Sequence, residues 1–221
     1  MDRYCAYGVL VSKRRDITGA LNGSRFIEQP HIVPEVELAR AFIAGPGQVL
    51  IEVGFDHGRR LHSTARSNPG WRVLGLEVRK RRVDEAITRA RRDGLENVHP
   101  WRMDARTVFA AVLEPESVDV VEILFPTPWW HPGLRMKRLL IDDDFVTDVA
   151  RALKPHGVLH LATDVESYAE SIEVATAGSR LLKIDAETAG LHLPECTQLS
   201  RREWKCEREG VPVFRWFFER G

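Results

Sequence analysis

Cysteine is scarce in this chain, and what there is does not pair. Cys5, Cys196 and Cys206 form an odd, widely spaced set with no CxxC, which fits reduced thiols in a cytoplasmic protein and argues against a disulfide framework or a zinc site. His57 and His62 do not stand at metal-binding helical spacing, so no metal is expected. Net charge is lacking too: 32 basic and 32 acidic residues cancel. Without a global field to draw in nucleic acid, any such binding must rest on a local basic patch. No apolar run reaches the length of a membrane span, so no membrane partner is expected. The N-terminal MDRYCAYGVLVSKRRD puts its basic residues after a short apolar run, the reverse of a signal peptide. Internal repeats and low-complexity runs are absent.

What remains is an ordinary globular mix, 43% hydrophobic and 29% charged over 221 residues, long enough to bury a core without staples. Residues 1–35 show no clean period and read as an arm, with Lys13, Arg14 and Arg15 a small basic cluster; residues 36–221 read as one α/β domain. The segment PEVELARAF, from Pro34, predicts a short helix. A regular alternation follows. QVLIEVG, WRVLGLEV, NVHPWRMDA, SVDVVEILFP and VLHLATD predict strands. GRRLHSTARS, KRRVDEAITRARRDG, ARTVFAAVL, DDDFVTDVARALKPHG and VESYAESIEVATAG predict helices. LLKIDA and VPVFRWFFER supply two last strands. Strands alternating with helices of this length imply a mostly parallel sheet covered on both faces.

Ligands of such sheets lie beyond the carboxyl ends of the strands. The first strand ends in Glu52-Val53-Gly54-Phe55-Asp56-His57-Gly58, where two glycines let the backbone pass close to a ligand. This is not GxGxxG: the middle glycine is missing and an acid precedes the first. A carboxylate there repels a pyrophosphate but holds an ammonium, which favours the amino-acid end of S-adenosylmethionine over a dinucleotide. Glu77, closing the second strand, is placed to accept ribose hydroxyls. Asp104, closing the third, is placed to accept an adenine amino group while the Ala105 N–H meets a ring nitrogen.

The fourth strand runs into Phe125-Pro126-Thr127-Pro128-Trp129, then a basic stretch ending Arg135-Met136-Lys137-Arg138. Thr163-Asp164-Val165-Glu166-Ser167-Tyr168 and Thr197-Gln198-Leu199-Ser200 follow. In this order, with EVGFDHG, LGLEV and MDA, these motifs resemble those of the bacterial tRNA (guanine-N7) methyltransferase family: E-I-G-x-G-x-G, G-I-E-V, D-A, F-P-D-P-W with a basic run, T-D-W-x-x-Y and T-x-F-E. The resemblance implies a Rossmann-like class I methyltransferase fold of seven strands, the last antiparallel. It implies S-adenosylmethionine as cofactor, bound by Glu52, Glu77 and Asp104 with Gly54 shaping the turn, while Asp164 faces the substrate and Thr197 matches the threonine of T-x-F-E; Trp129, Asp164, Thr197 and Ser200 are the substrate-binding candidates.

The acceptor side departs from that pattern. Thr127 replaces the aspartate of F-P-D-P-W, Ser200 the glutamate of T-x-F-E, and His131 stands near the family's lysine; Asp56 replaces a glycine of the first turn. A ring nitrogen with an in-plane lone pair attacks a sulfonium methyl without losing a proton, so lost carboxylates weaken guanine recognition without abolishing transfer. The expectation is therefore N-methylation of a nitrogen heterocycle, such as a free small molecule, with guanine in tRNA as the alternative. Thr127 and His131 are the catalytic candidates, His131 as a base where the acceptor carries a proton. Trp129 either stacks on a planar acceptor or packs against the sheet edge. Arg135, Lys137 and Arg138 meet phosphates or pair with Asp142, Asp143 and Asp144. The basic helix after the second strand reads as a charged outer face.

Overall fold

The computed structural model describes residues 32–127 and 139–221. Seven strands, β1 (Gln48–Val53), β2 (Trp71–Leu76), β3 (Val98–Trp101), β4 (Val118–Leu124), β5 (Leu153–Thr163), β6 (Leu181–Ile184) and β7 (Phe214–Arg220), form one sheet in the order β3-β2-β1-β4-β5-β7-β6. Only β7 runs against its neighbours, β5 and β6. The Rossmann-like class I methyltransferase sheet, last strand antiparallel, is thus present. Strand order reverses between β1 and β4, which is where such sheets bind ligands.

β1 lies at the centre because five successive residues, Val49 to Val53, are buried, as a strand covered on both faces requires. One face packs under α1 (Ile32–Ala44), the π-helical segment Val108–Val112 that continues the single turn α4 (Ala105–Thr107), α5 (Asp143–Ala152) and α6 (Glu166–Ala177). The other carries α2 (Arg59–Ser67) and α3 (Lys80–Arg92), whose Leu61, Ala65, Val83, Ala86 and Ala90 meet Leu50, Val73 and Val120. Among the described residues no helix is long and apolar enough to cross a membrane.

Three local details differ from the sequence expectation. The fifth helix stops at Ala152, and Lys-Pro-His-Gly belongs to β5 instead. Pro155 pushes Lys154 towards extended backbone, and His156, at φ 63°, makes the kink where the pairing of β5 with β4 shifts register. Two helices went unanticipated between the last strands: α7 (Ala186–Gly190) and α8 (Arg201–Glu209). The segment read as the end of an arm, 32–35, is already part of α1.

Gly75 of β2 lies beside Glu52 of β1. A Cβ there would fall 2.7 Å from both Leu61 and Phe55, so bare backbone is what lets α2 and the first turn close over the sheet. Gly75→Val is expected to destabilise the protein by about 1–3 kcal/mol, the usual cost of overpacking. Urea denaturation measures it; an unchanged midpoint would show that this packing is loose.

Candidate functional site: a cleft at the strand ends

A cleft of about 970 Å³ opens beyond the carboxyl ends of β1 to β4. Its wall holds Glu52, Gly54, Glu77, Asp104 and Ala105, together with Thr127, Asp164 and Ser200 from the acceptor side. Thr197 stands apart, in a smaller neighbouring cleft, with its hydroxyl 3.0 Å from that of Ser63. Trp129, His131 and the basic positions Arg135, Lys137 and Arg138 lie outside the described residues. Asp142, expected beside those bases, instead caps α5 and pairs with Arg106 at 2.7 Å.

The first turn is shaped by its glycines. Gly54 at φ 75° and Gly58 at φ 66° are left-handed, a conformation glycine adopts at no steric cost. Asp56 is left-handed as well, at φ 47°, and aspartate tolerates this better than most residues. Its carboxylate lies 3.3 Å from Arg82 Nε, tying the turn to α3. At the end of β4, Phe125 turns at φ 53°, a strain of about 1–3 kcal/mol for a bulky residue. That turn carries Pro126 and Thr127 to the rim.

Glu77 and Asp104 each commit one carboxylate oxygen to the backbone. Glu77 Oε1 accepts the Arg79 N–H at 2.9 Å. Asp104 Oδ1 accepts the N–H groups of Arg106 and Thr107, capping α4. The second oxygen of each enters no described hydrogen bond, and both side chains border the cleft. Two carboxylate oxygens at successive strand ends suit a diol and an exocyclic amine.

Glu52 is strongly perturbed. It is buried beside Glu122, its register partner on β4. Its Oε2 is buried without a hydrogen-bond partner among the described residues. Burial, then the neighbouring Glu122 charge, push its carboxyl up to about 8. Leaving a buried polar atom unmatched costs about 1–3 kcal/mol, so this oxygen on the cleft wall suits a hydrogen-bond donor brought by a ligand. The ammonium of S-adenosylmethionine supplies one, and the residues present fit that cofactor.

Glu122 takes the opposite state, held down to about 2 against the cost of its own burial by the charge of Arg60 and the hydrogen bond from His160. Arg60 grips it bidentately, Nε to Oε2 at 2.9 Å and Nη2 to Oε1 at 2.5 Å. His160 of β5 lies 3.0 Å from Oε1 through Nδ1 and 2.7 Å from Arg215 Nη1 through Nε2. Because a guanidinium only donates, Nε2 accepts and Nδ1 carries the proton, giving a neutral ring; burial favours that state by lowering the His160 pKa. Arg215 in turn meets Glu203, the third residue of α8, whose side chain closes a capping box with Ser200. A chain of polar contacts thus runs beneath the cleft from α2 to the start of α8.

No local sequence signal marks these long-range contacts, although Ser200-Arg201-Arg202-Glu203 is itself a helix-start signature, S-x-x-E. The first turn of α8 spans the cleft mouth. Arg201 Nη1 lies 3.1 Å from His57 Nε2, and Arg202 Nε lies 2.9 Å from Asp164 Oδ2. Asp164 therefore faces the cleft as a paired carboxylate, its side chain 7% exposed. The Ser200 hydroxyl accepts the Glu203 N–H.

Comparison with known proteins agrees with this fold. Residues 46–216 match the model of a family described as putative methyltransferases. A tRNA (guanine-N(7)-)-methyltransferase of Yersinia pseudotuberculosis is 34% identical over 173 residues, covering 78% of this chain and 72% of that protein. One of the same description from Salmonella typhi is 31% identical over 199 residues, 90% of this chain and 80% of the other. The solved structure of the 16S rRNA methyltransferase KamB superimposes with a TM-score of 0.59 at 17% identity, over 83% of this chain and 92% of that one. That last likeness speaks to the fold alone. The chain belongs to the bacterial tRNA (guanine-N7) methyltransferase family of class I enzymes, and its methyl donor is S-adenosylmethionine.

Proposed function

We propose that the protein methylates a ring nitrogen of guanine in RNA, tRNA being the expected carrier, with Glu52 receiving the cofactor ammonium, Glu77 its ribose and Asp104 with Ala105 its adenine. S-adenosylmethionine supplies an electrophilic methyl on a sulfonium. The chain's own residues need only align a nucleophile with it and keep water away, since an aromatic nitrogen with an in-plane lone pair has no proton to lose.

The observation that carries the acceptor half is Asp164. Thr127 and Ser200 offer no carboxylate, and Asp164 stands in the cleft with Oδ2 pinned by Arg202. A fixed carboxylate accepts the N–H edge of guanine and offsets positive charge growing on a methylated ring. Arg59, Arg79, Arg106 and Arg201 on the same wall suit the phosphates flanking such a base. The relatives' description as tRNA methyltransferases supports the same reading.

A second reading, transfer to a free nitrogen heterocycle, draws on Thr127: this exposed rim residue binds guanine more weakly than an aspartate does. The two part in one competition assay, with labelled cofactor offered to unmodified tRNA transcripts and a metabolite extract together. Label is expected in the RNA, released on digestion as 7-methylguanosine, and Thr127→Asp should raise that incorporation several-fold. Label confined to the small-molecule fraction would sink the RNA reading.

A further inference from the structure

The smaller cleft, about 430 Å³, lies along α2, between it, the last turn of α3 and the segment that carries Thr197 and Gln198. Among the described residues, Arg59, Arg66, Arg89 and Arg92 border it, and Asp93 is the one carboxylate on its wall. Four guanidiniums against one carboxylate leave three positive charges in a concave site on a chain of zero net charge. A concavity focuses such a field rather than spreading it.

The rest of α3 shows what an ordinary solvated face looks like. There Lys80 pairs with Asp84 at 2.6 Å and Arg81 with Glu85 at 2.8 Å, each one turn apart. At the cleft that pattern stops. Asp93 bridges Arg66 at 2.7 Å and Arg92 at 2.8 Å, which fixes two guanidiniums from different helices without cancelling them. Arg59 donates to Gln198 and Arg89 to the His57 carbonyl, both at 3.3 Å. Each of these described bonds uses one N–H of a group that has five. The remaining donors are held in place for an acceptor with several oxygens.

Arg59 borders both clefts, so the two are neighbours across one side chain. We infer that the arginine cleft binds the phosphodiester backbone of the RNA next to the nucleotide entering the cofactor cleft, an inference that rests on the RNA reading above. The site reads no base: it gives affinity and register, while Asp164 and the rim select the nucleotide.

The test is binding of a fluorescent, unmodified tRNA transcript by anisotropy across a series of salt concentrations. The triple variant Arg66→Glu, Arg89→Glu, Arg92→Glu is expected to bind roughly 10- to 100-fold more weakly near 0.15 M salt, with the log–log salt slope shallower by about 2. The milder Arg→Gln triple should move the same way by less. Lys80→Glu with Arg81→Glu removes as much charge per residue from the solvated part of the helix and should change affinity about twofold at most. Calorimetric S-adenosylmethionine binding should be unchanged in all three, which shows that they fold. A wild type that binds tRNA while both triples keep its affinity and slope overturns the arginine site alone. A wild type that binds no tRNA overturns the RNA reading and this inference with it.

Discussion

Glu52→Gln is expected to weaken S-adenosylmethionine binding roughly 10- to 100-fold, the value of a hydrogen bond to a charged group in a dry site. Glutamine keeps the shape but cannot ionise. The wild-type affinity carries a pH signature that the variant lacks. Glu52 is protonated below about 8, and a cationic ligand needs its carboxylate, so affinity rises towards that pH by up to about tenfold per unit. Calorimetric titrations from pH 6 upwards read both effects; equal affinities for the two proteins, or parallel pH profiles, would remove Glu52 from the cofactor site. The same shift has a consequence for stability. The folded state holds the Glu52 proton more tightly than the unfolded state, whose carboxyl keeps the usual 4.5, so the free protein loses stability as pH climbs from about 4.5 to about 8. Glu122 works in the other window: its stabilisation is complete above 4.5 and is lost as pH falls towards about 2.

The second large effect falls on Glu122 itself. Its side chain is 1% exposed and that of Arg60 13%, so Glu122→Ala strands a guanidinium in the interior. Breaking a buried pair by removing one partner costs about 3–5 kcal/mol, whereas replacing both members with apolar residues of similar volume is often close to neutral. Chemical denaturation should therefore find Glu122→Ala severely destabilised, and Arg60→Met with Glu122→Met much less so. If the double variant were as unstable as the single one, the pair would be contributing more than mutual neutralisation. Cofactor binding should suffer in the single variant as well. Arg60 already acts electrostatically on Glu52; with Glu122 gone, Glu52 is left as the carboxylate for Arg60 to turn to, and that oxygen is lost to the ammonium.

These two carboxylates show what was legible in the sequence and what was not. Glu52, Glu77 and Asp104 could be placed on the cleft wall because each lies at or just past the end of a strand, and a strand end announces itself locally through a glycine or a turn. Glu122 sits inside a β-branched run, where a lone acid says nothing about its neighbours. Its partners, Arg60 and His160, lie 62 and 38 residues away; the register of β4 with β5 brings His160 level, and the turn from β1 into α2 brings Arg60. The same limit hid α8. Among its buried residues are Glu203 and Cys206, while Trp204 is half exposed, so no apolar stripe marks it as a helix. Its start was nonetheless written in the capping box, and its end in Gly210 at φ 65°. Lys-Pro-His-Gly misled in the opposite sense, since proline and glycine also serve at a kinked strand entry. Thr197 was read as facing the substrate on resemblance alone; in the fold it borders the arginine cleft, beside the hydroxyl of Ser63.

The proton count of cofactor binding decides whether the Glu52 carboxylate holds the ammonium. Near pH 6.5 the free amino group of S-adenosylmethionine is already charged and Glu52 is protonated, so seating an ammonium on its carboxylate must expel a proton. Calorimetry in two buffers of different ionisation heat gives that number. Wild-type protein should release roughly one proton per cofactor bound, and Glu52→Gln close to none. A wild type that binds S-adenosylmethionine without releasing a proton, or a variant that releases as many, would contradict it.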